Sequence, residues 1–280
     1  MKNQIGVQLV CNRNTNWEEE FRKALDMELG VCQLCIWDME VFTDPKHAQN
    51  ILDAVRSTGM RITSVWAGWE GPREWNFTYG PSTIGLVPES YRGARLASLK
   101  QAADFALKIG VNYLATHVGF LPEDPYHPDF IGTVGALRNL CKYLKNQGQY
   151  FLFETGQETP VTLLRAIQGI GQDNVGINLD TANMILYGKA NTLDSLEVFG
   201  TYVMETHIKD GFYPTDADHL GREVAVGEGL ANIGAVTKRL GELGYTGSYI
   251  IEREIRGEEQ IRDILLARDL LRKWMAENEK

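Results

Sequence analysis

Apolar and polar positions along this chain fall into one recurring unit. An amphipathic stretch at helical spacing is followed by a glycine and then by a short, mostly apolar run. ALDMELG precedes VCQLCIW, AVRSTG precedes MRITSVW, and FALKIG precedes VNYLATH. YLKNQG with QYFLFE, AIQGIG with QDNVGINLD, LEVFG with TYVMETHIK, and RLGELGY with TGSYIIE continue the series. The glycines Gly30, Gly59, Gly110, Gly148, Gly171, Gly200 and Gly244 stand where a left-handed residue would close a helix and release the chain into a strand. With the opening run IGVQLV, these seven junctions predict eight strands, each followed by a helical stretch.

The spacing in YRGARLASLKQAADFALKIG predicts a helix with Leu96, Leu99, Ala103, Ala106 and Leu107 on one face. The strand runs do not alternate, as expected when both faces of a parallel sheet are covered. Strands alternating with helices imply right-handed crossovers. Eight such units in 280 residues match a single (β/α)8 TIM barrel, read as one α/β domain over residues 1–280. A doubly wound open sheet would call for a Gly-rich phosphate turn after a strand, and the sequence has none. The longest connection, residues 67–90, is too long for an ordinary loop. Its Trp69, Trp75, Phe77 and Tyr79 predict an ordered wall or lid on the C-terminal face of the barrel, where barrel enzymes keep their sites.

Charge and composition narrow the function. Lys plus Arg total 28 against 37 Asp plus Glu, a formal net charge of −9 with five neutral His. Neutralising phosphates takes Lys and Arg, so an acidic chain without a basic block predicts no nucleic-acid partner. No run approaches the roughly 20 apolar residues of a membrane helix. The start, MKNQIGVQLVCNRN, has only a short, interrupted apolar run, so it does not read as a signal peptide. The expected location is the cytoplasm, with no membrane partner. Cys11, Cys32, Cys35 and Cys141 are too few and too irregular for a disulfide framework. Cys32 and Cys35 would point to opposite faces of one strand, which favours two small core residues over a redox or zinc pair.

In a barrel, chemistry collects where the strands end. Those ends are predicted at Trp37 and Asp38, Trp66, His117, Glu154, Asp180, His207 and Glu252. One polar strand end is ordinarily just solvated. Four consecutive strands ending in Glu, Asp, His and Glu form a mostly oxygen donor set with one imidazole, which suits Mn²⁺ or Mg²⁺, or Co²⁺, better than a soft, thiolate-seeking metal. Glu205 shares a strand face with His207 and is expected to orient its imidazole from one layer deeper.

FLFETGQE, INLDTAN, THIKDG, VGEG and IIERE, in this order at these strand ends, and the His117–Pro122 stretch HVGFLP, resemble the sugar isomerase/epimerase branch of the xylose-isomerase-like barrels. That branch includes ketose 3-epimerases of the tagatose and psicose types and isomerases of inositol catabolism, and the resemblance spans essentially the whole chain. It implies one divalent cation, Mn²⁺ first with Mg²⁺, Co²⁺ or Zn²⁺ as alternatives, held by Glu154, Asp180, His207 and Glu252. It further implies that Glu154 and Glu252 are the catalytic bases on either side of a small ketose or keto-sugar. Removing a proton beside a carbonyl needs a base and a stabiliser for the enediolate charge, and a chelated cation supplies the second. Two bases give epimerisation; one base moving the proton between carbons gives aldose–ketose isomerisation. The ligand set leaves both open, as it does phosphorylated substrates. Relatives often form dimers or tetramers.

The substrate contacts expected from residue type and resemblance are His117, Glu158, Asn183, Arg222, Trp66 and Lys209. Four have a plainer alternative: a packed histidine for His117, a helix N-terminal acid for Glu158, an ion pair of Lys209 with Asp210, and simple aromatic packing for Trp66, as for Trp37 and Trp69. His47, His127 and His219 read as loop or surface histidines. Many relatives carry His where this chain has Asn183, which can donate a hydrogen bond but cannot change charge near neutral pH. Three other functions compete. An inosose-type dehydratase would start with the same proton abstraction. Endonuclease-IV-type repair enzymes share Gly156 and Gln157 but need a three-zinc cluster with more histidines. A catalytically silent sugar-binding barrel would not need two bases.

Overall fold

The helix starts are set locally. Asn16, Asp44 and Thr159 each accept a backbone N–H from the first turn, and Pro45 and Pro160 bring the fixed φ that a first turn requires. In the computed structural model, which describes residues 4–278, these signals produce eight parallel strands closed in sequence order. The strands are β1 (Ile5–Cys11), β2 (Val31–Ile36), β3 (Arg61–Ala67), β4 (Tyr113–Thr116), β5 (Tyr150–Glu154), β6 (Val175–Asp180), β7 (Val203–Ile208) and β8 (Tyr249–Ile251). The long helices are α1 (Trp17–Asp26), α2 (Pro45–Thr58), α3 (Glu89–Lys108), α4 (Pro128–Lys145), α5 (Pro160–Ile170), α6 (Thr192–Phe199), α7 (Ile233–Glu242) and α8 (Glu258–Asn278). The (β/α)8 architecture is the predicted one. Residues 1–3 and 279–280, included in the one-domain reading and, at the start, in the reading of the N-terminal segment, lie outside the described residues. Among the described residues no helix is long and apolar enough to cross a membrane.

Several local expectations are corrected. Gly59, Gly110, Gly148, Gly171 and Gly244 are left-handed as predicted. Gly30 is not; the left-handed residue after α1 is Glu28, whose carboxylate is held by Arg272 of α8. Gly200 has φ −56° because α6 runs on into a 3-10 turn, Gly200–Tyr202. Leu107 is 43% exposed, since α3 turns Ala102, Ala103, Phe105 and Ala106 inward instead. His47 is buried inside α2 rather than lying on a loop or surface, whereas His127 caps α4 and His219 is exposed.

The barrel has two apolar regions. The larger lies between strands and helices and includes Cys32; the smaller lies inside the barrel and includes Cys35, Trp66, Trp69, Ala115 and Leu152. Cys32 and Cys35 thus face opposite ways, and all four thiols are free and buried. Below the inner apolar group the barrel carries an unusual polar layer. Gln8 pairs in register with Gln33 and Gln33 with Ser64, while Asn178 pairs with Glu205.

Two buried side chains hold the long loops over the barrel mouth. Arg95 of α3 donates to the carbonyls of Thr83 and Gly85 at 2.7 Å and of Pro72 at 2.9 Å, which orders the 67–90 connection. After β7 the chain forms a two-residue antiparallel ribbon, Asp210–Gly211 with Glu223–Val224. The Asp210 carboxylate accepts the N–H groups of Gly211 and Ala231 at 2.9 Å and of Gly227 and Gly229 at 3.0 Å. The VGEG stretch is built around that carboxylate. Gly227 has φ +94°, and a Cβ on Gly229 would stand 2.2 Å from Asp210 Oδ1. Asp210→Asn replaces one accepting oxygen with an amide and strands two N–H groups, those of buried Gly211 and Ala231 or those of less buried Gly227 and Gly229, at about 1–3 kcal/mol each where buried. We expect a loss of about 3 kcal/mol in urea unfolding, with faster hydrogen exchange at Gly227, Gly229 or Ala231; unchanged stability and protection would refute the anchoring role.

Candidate metal centre and active site

Four side chains meet because the strands stop at the same height. Glu154 and Asp180 are the last residues of β5 and β6, His207 is next to last in β7, and Glu252 follows β8 directly. His207 pairs in register with Asp180 on one side and Ile250 on the other. His207 Nδ1 lies 2.9 Å from Glu154 Oε1, 3.2 Å from Glu252 Oε2 and 3.9 Å from Asp180 Oδ2. One donor atom from each of the four lies within 4.8 Å of the others, and all four residues are buried.

Burial favours neutral groups here, and the charges oppose it. Burial would raise Glu154, yet His117 and His207 hold it below its ordinary value. Burial would raise Glu252 too, but Lys209, then His207, holds it well below. For Asp180 burial prevails over Lys209 and leaves the carboxyl well above its ordinary value. His207 and Lys209 are pushed down by burial and lifted well above their ordinary values by the carboxylates, Glu252 foremost.

The cluster fits a divalent cation. Asp180 Oδ1 accepts the N–H groups of Ala182 and Asn183 at 2.8 and 2.7 Å, while the fully buried Oδ2 has no hydrogen-bond partner. An acceptor left bare in a buried site is costly unless something positive completes it. Three carboxylates and one imidazole can hold a hard or borderline ion. A second grouping, Glu40, Asp44 and His47, is less suited, because Glu40 pairs with Arg13, and Asp44 caps α2 and pairs with Lys46. Asp38, near the end of β2, is likewise committed. Hydrogen bonds from Arg13 hold its carboxyl down to about 2.

A cavity of about 980 Å³ opens onto Glu154, Glu252, His117, Asn183, Trp66 and Trp75. Trp66 donates its indole N–H to Glu154 Oε2, and His117 Nε2 lies 3.4 Å from the same oxygen. Asn183 Nδ2 is 3.5 Å from Glu154 Oε1. Trp37 meets Trp66 at a tilt and Trp69 edge-on, at centroid distances of 4.9 and 5.2 Å, and Trp75 lies 5.3 Å from His117. Lys209 Nζ sits beneath the opening, 3.1 Å from Glu254, 3.5 Å from Glu252 and 3.9 Å from Asp180, so its partners are these carboxylates rather than Asp210. Glu158 is buried beyond Gly156. Burial pushes its carboxyl to about 7, and Oε1 lacks a partner.

Two expectations change. Arg222 is exposed, with its guanidinium over Phe212, and does not line the cavity. Glu205 does not touch His207 as an orienting partner; Gln33 stands between them, with Oε1 2.6 Å from His207 Nε2. Gln33 and Tyr187 went unread in the sequence. Gln33 had a detectable signal, a polar residue on the inward parity of an otherwise apolar run. Tyr187 had none, since only the folded loop brings it to the mouth.

A model of the xylose isomerase-like TIM barrel family matches residues 21–275. A xylose isomerase domain protein from Planctomyces limnophilus is 30% identical, with a TM-score of 0.89 and 99% of each chain covered. A D-psicose 3-epimerase from Clostridium cellulolyticum H10, solved with D-tagatose, superposes with a TM-score of 0.72 at 15% identity over 97% of this chain and 99% of that one; the likeness is one of fold. An uncharacterized protein from Methanocaldococcus jannaschii is 24% identical over 200 residues, 67% of this chain, and the chain spans only 64% of that relative's length. The closed barrel and the match over residues 21–275 agree: this chain belongs to the xylose isomerase-like TIM barrel family.

Proposed function

We propose that residues 1–280 form one catalytic domain, a divalent-metal-dependent isomerase or epimerase acting on a small ketose or keto-sugar. The observation that carries this reading is the carboxylate pair. Glu154 Oε1 and Glu252 Oε2 lie 2.9 and 3.2 Å from one imidazole nitrogen and both residues face the same cavity. Binding alone would not call for two ionised carboxylates at one opening.

Glu154, Asp180, His207 and Glu252 would hold the cation, Mn²⁺ by preference of this donor set, with Mg²⁺, Co²⁺ and Zn²⁺ as competitors. When bound it supplies Lewis acidity to a carbonyl and neighbouring hydroxyl, lowering the cost of the charge that develops on deprotonation. Glu154, fixed by the Trp66 indole and His117, is positioned as the base beside the carbonyl carbon. Glu252 lines the same cavity as the second base. For a net inversion it takes a proton from solvent against the pull of Lys209 and His207, returns it to the opposite face, and Glu154 releases its own proton to solvent before the next turnover. The unpartnered His117 Nδ1 offers a hydrogen bond to a substrate hydroxyl, with Asn183 beside it; Gln157 and Glu158, also with unpartnered polar atoms, lie buried behind the cavity lining. Trp66 and Trp75 present ring faces to C–H groups. Arg222 is left out of this substrate set by its position.

One observation favours a second reading, dehydration of an inosose-like ketone. The Lys209 ammonium lies 3.5 Å from Glu252, so a proton delivered to a departing hydroxide would come through that carboxylate. An endonuclease-IV-like reading has less support, because His207 and His117 are the histidines at this cluster among the described residues.

The deciding experiment incubates Mn²⁺-loaded protein in D₂O with ketoses, their phosphates and keto-acids. Carbon-bound deuterium beside the carbonyl and a second stereoisomer or an aldose are expected by NMR; water loss to an enone would instead select the dehydratase. Glu252→Gln should keep the fold and much of the metal while turnover falls on the order of 10³-fold, and near-normal turnover removes the two-base assignment. His207→Ala should lose most bound metal by elemental analysis, whereas undiminished stoichiometry places the ion elsewhere.

Glu158 gives a pH test. Its folded value near 7 exceeds its ordinary 4.5, so its stabilising contribution is full below about 4.5 and is lost as pH rises through about 7. Glu158→Gln in metal-free protein should therefore gain stability over wild type between pH 4.5 and 8, by about 3 kcal/mol at the upper end. A pH-independent difference in urea unfolding would show that the acid is not buried as described.

A further inference from the structure

Gln33 is fully buried in the middle of β2, beneath the candidate metal ligands. Its carboxamide oxygen lies 2.6 Å from His207 Nε2 and 3.2 Å from Gln8 Nε2. Its amide nitrogen lies 2.8 Å from Ser64 Oγ and 3.0 Å from Glu205 Oε2. Ser64 in turn donates its hydroxyl to that same Glu205 oxygen.

The chemistry of the partners decides which way round the amide sits. Glu205 Oε2, already taking the Ser64 hydroxyl, is an acceptor, so the face of Gln33 toward it must be the N–H face. The amide oxygen is thereby turned to His207, where it can only accept. The 2.6 Å contact then requires a hydrogen on His207 Nε2; the Gln8 amide nitrogen, 3.4 Å from the same ring nitrogen, has the Gln33 oxygen at 3.2 Å as its nearer acceptor. With Nε2 protonated, the nitrogen that gives up its proton to take a cation is Nδ1. Nδ1 is the nitrogen that faces Glu154, Glu252 and Asp180.

We propose that Glu205, acting through Gln33, fixes the tautomer and ring orientation of His207 so that Nδ1 is presented to the cation. Glu205, Gln33 and Ser64 are positioning residues drawn from three different strands, β7, β2 and β3. Gln8 of β1 adds a second donor to the same amide oxygen. The device rests on His207 as a metal ligand and is independent of which sugar the enzyme takes.

The test uses ¹⁵N-labelled full-length protein loaded with Zn²⁺, a diamagnetic probe. Long-range ¹H–¹⁵N correlation should show a slowly exchanging proton on His207 Nε2 and a metal-bound Nδ1. A proton on Nδ1, or metal on Nε2, overturns the proposal without any variant. Glu205→Gln and Gln33→Leu, checked for fold by circular dichroism, should bind Zn²⁺ 10- to 100-fold more weakly in chelator competition, as is usual when the partner of a ligating histidine is lost. Stoichiometry should stay unchanged, and the Nε2 proton should exchange at least tenfold faster. Affinity within twofold of wild type in either folded variant overturns it. Zn²⁺ bound through Nδ1 in a protein inert toward every sugar would support the tautomer device while sinking the substrate reading.

Discussion

Three carboxylates converge at the top of this barrel where water barely reaches them. Glu154, Asp180 and Glu252 are 3%, 0% and 8% exposed. Taking an ion out of water costs several kcal/mol even after the protein relaxes. Unit charges 4 Å apart interact at about 4 kcal/mol at an effective dielectric constant of 20. His207 and Lys209 oppose Glu154 and Glu252 from within the same space, whereas Asp180, its carboxyl held well above its ordinary value by burial, has both cationic groups only at 3.9 Å. Its bare oxygen marks where positive charge is scarcest. Neighbouring groups ease the burial of these charges: Trp66 and His117 on Glu154, and the relay beneath His207.

Fold and charge are joined by the register of the parallel strands. A one-residue shift in β7 would turn His207 outward and bring Thr206 in. Register is defended by the apolar packing of outward residues such as Ile177, Leu179 and Ile208, each worth roughly 1.5–3 kcal/mol when buried. The polar layer inside the barrel contributes in the opposite way. It is tolerable because Gln33, Ser64 and Glu205 bond to one another, so few of its groups stay unmatched. Above the carboxylates, the tryptophans and the loop held by Arg95 narrow the approach and lower the local dielectric, which strengthens each interaction below.

The architecture was legible because parallel strands and amphipathic helices carry strong one-dimensional signals. The four strand-end residues were legible for the same reason, since a barrel converts strand ends into neighbours. What escaped detection depends on contacts across the chain. Gly30 and Gly200 match the helix-stop pattern, but the left-handed turn falls at Glu28 and a 3-10 turn continues α6. His47 looked like a loop residue because helix α2 begins two residues before it. Arg222 stood beside a suggestive glycine motif that turns out to serve Asp210. Glu205 was placed on the right face by parity, yet its action through Gln33 needed β2 and β7 in one space, 172 residues apart in sequence.

The cysteines carry one last consequence. Cys11, Cys32, Cys35 and Cys141 are spread over β1, β2 and α4, none is paired, and burial pushes every one of these thiols upward, Cys141 to about 12. A thiol that is neither ionised nor reachable does not react with alkylating reagents or peroxide. Cys35 lines the cavity, but modification of Cys11, Cys32 and Cys141 must wait for the wall of the barrel to open. The chain carries three built-in clocks, and the pace at which each is alkylated reports how often its own part of the barrel comes apart.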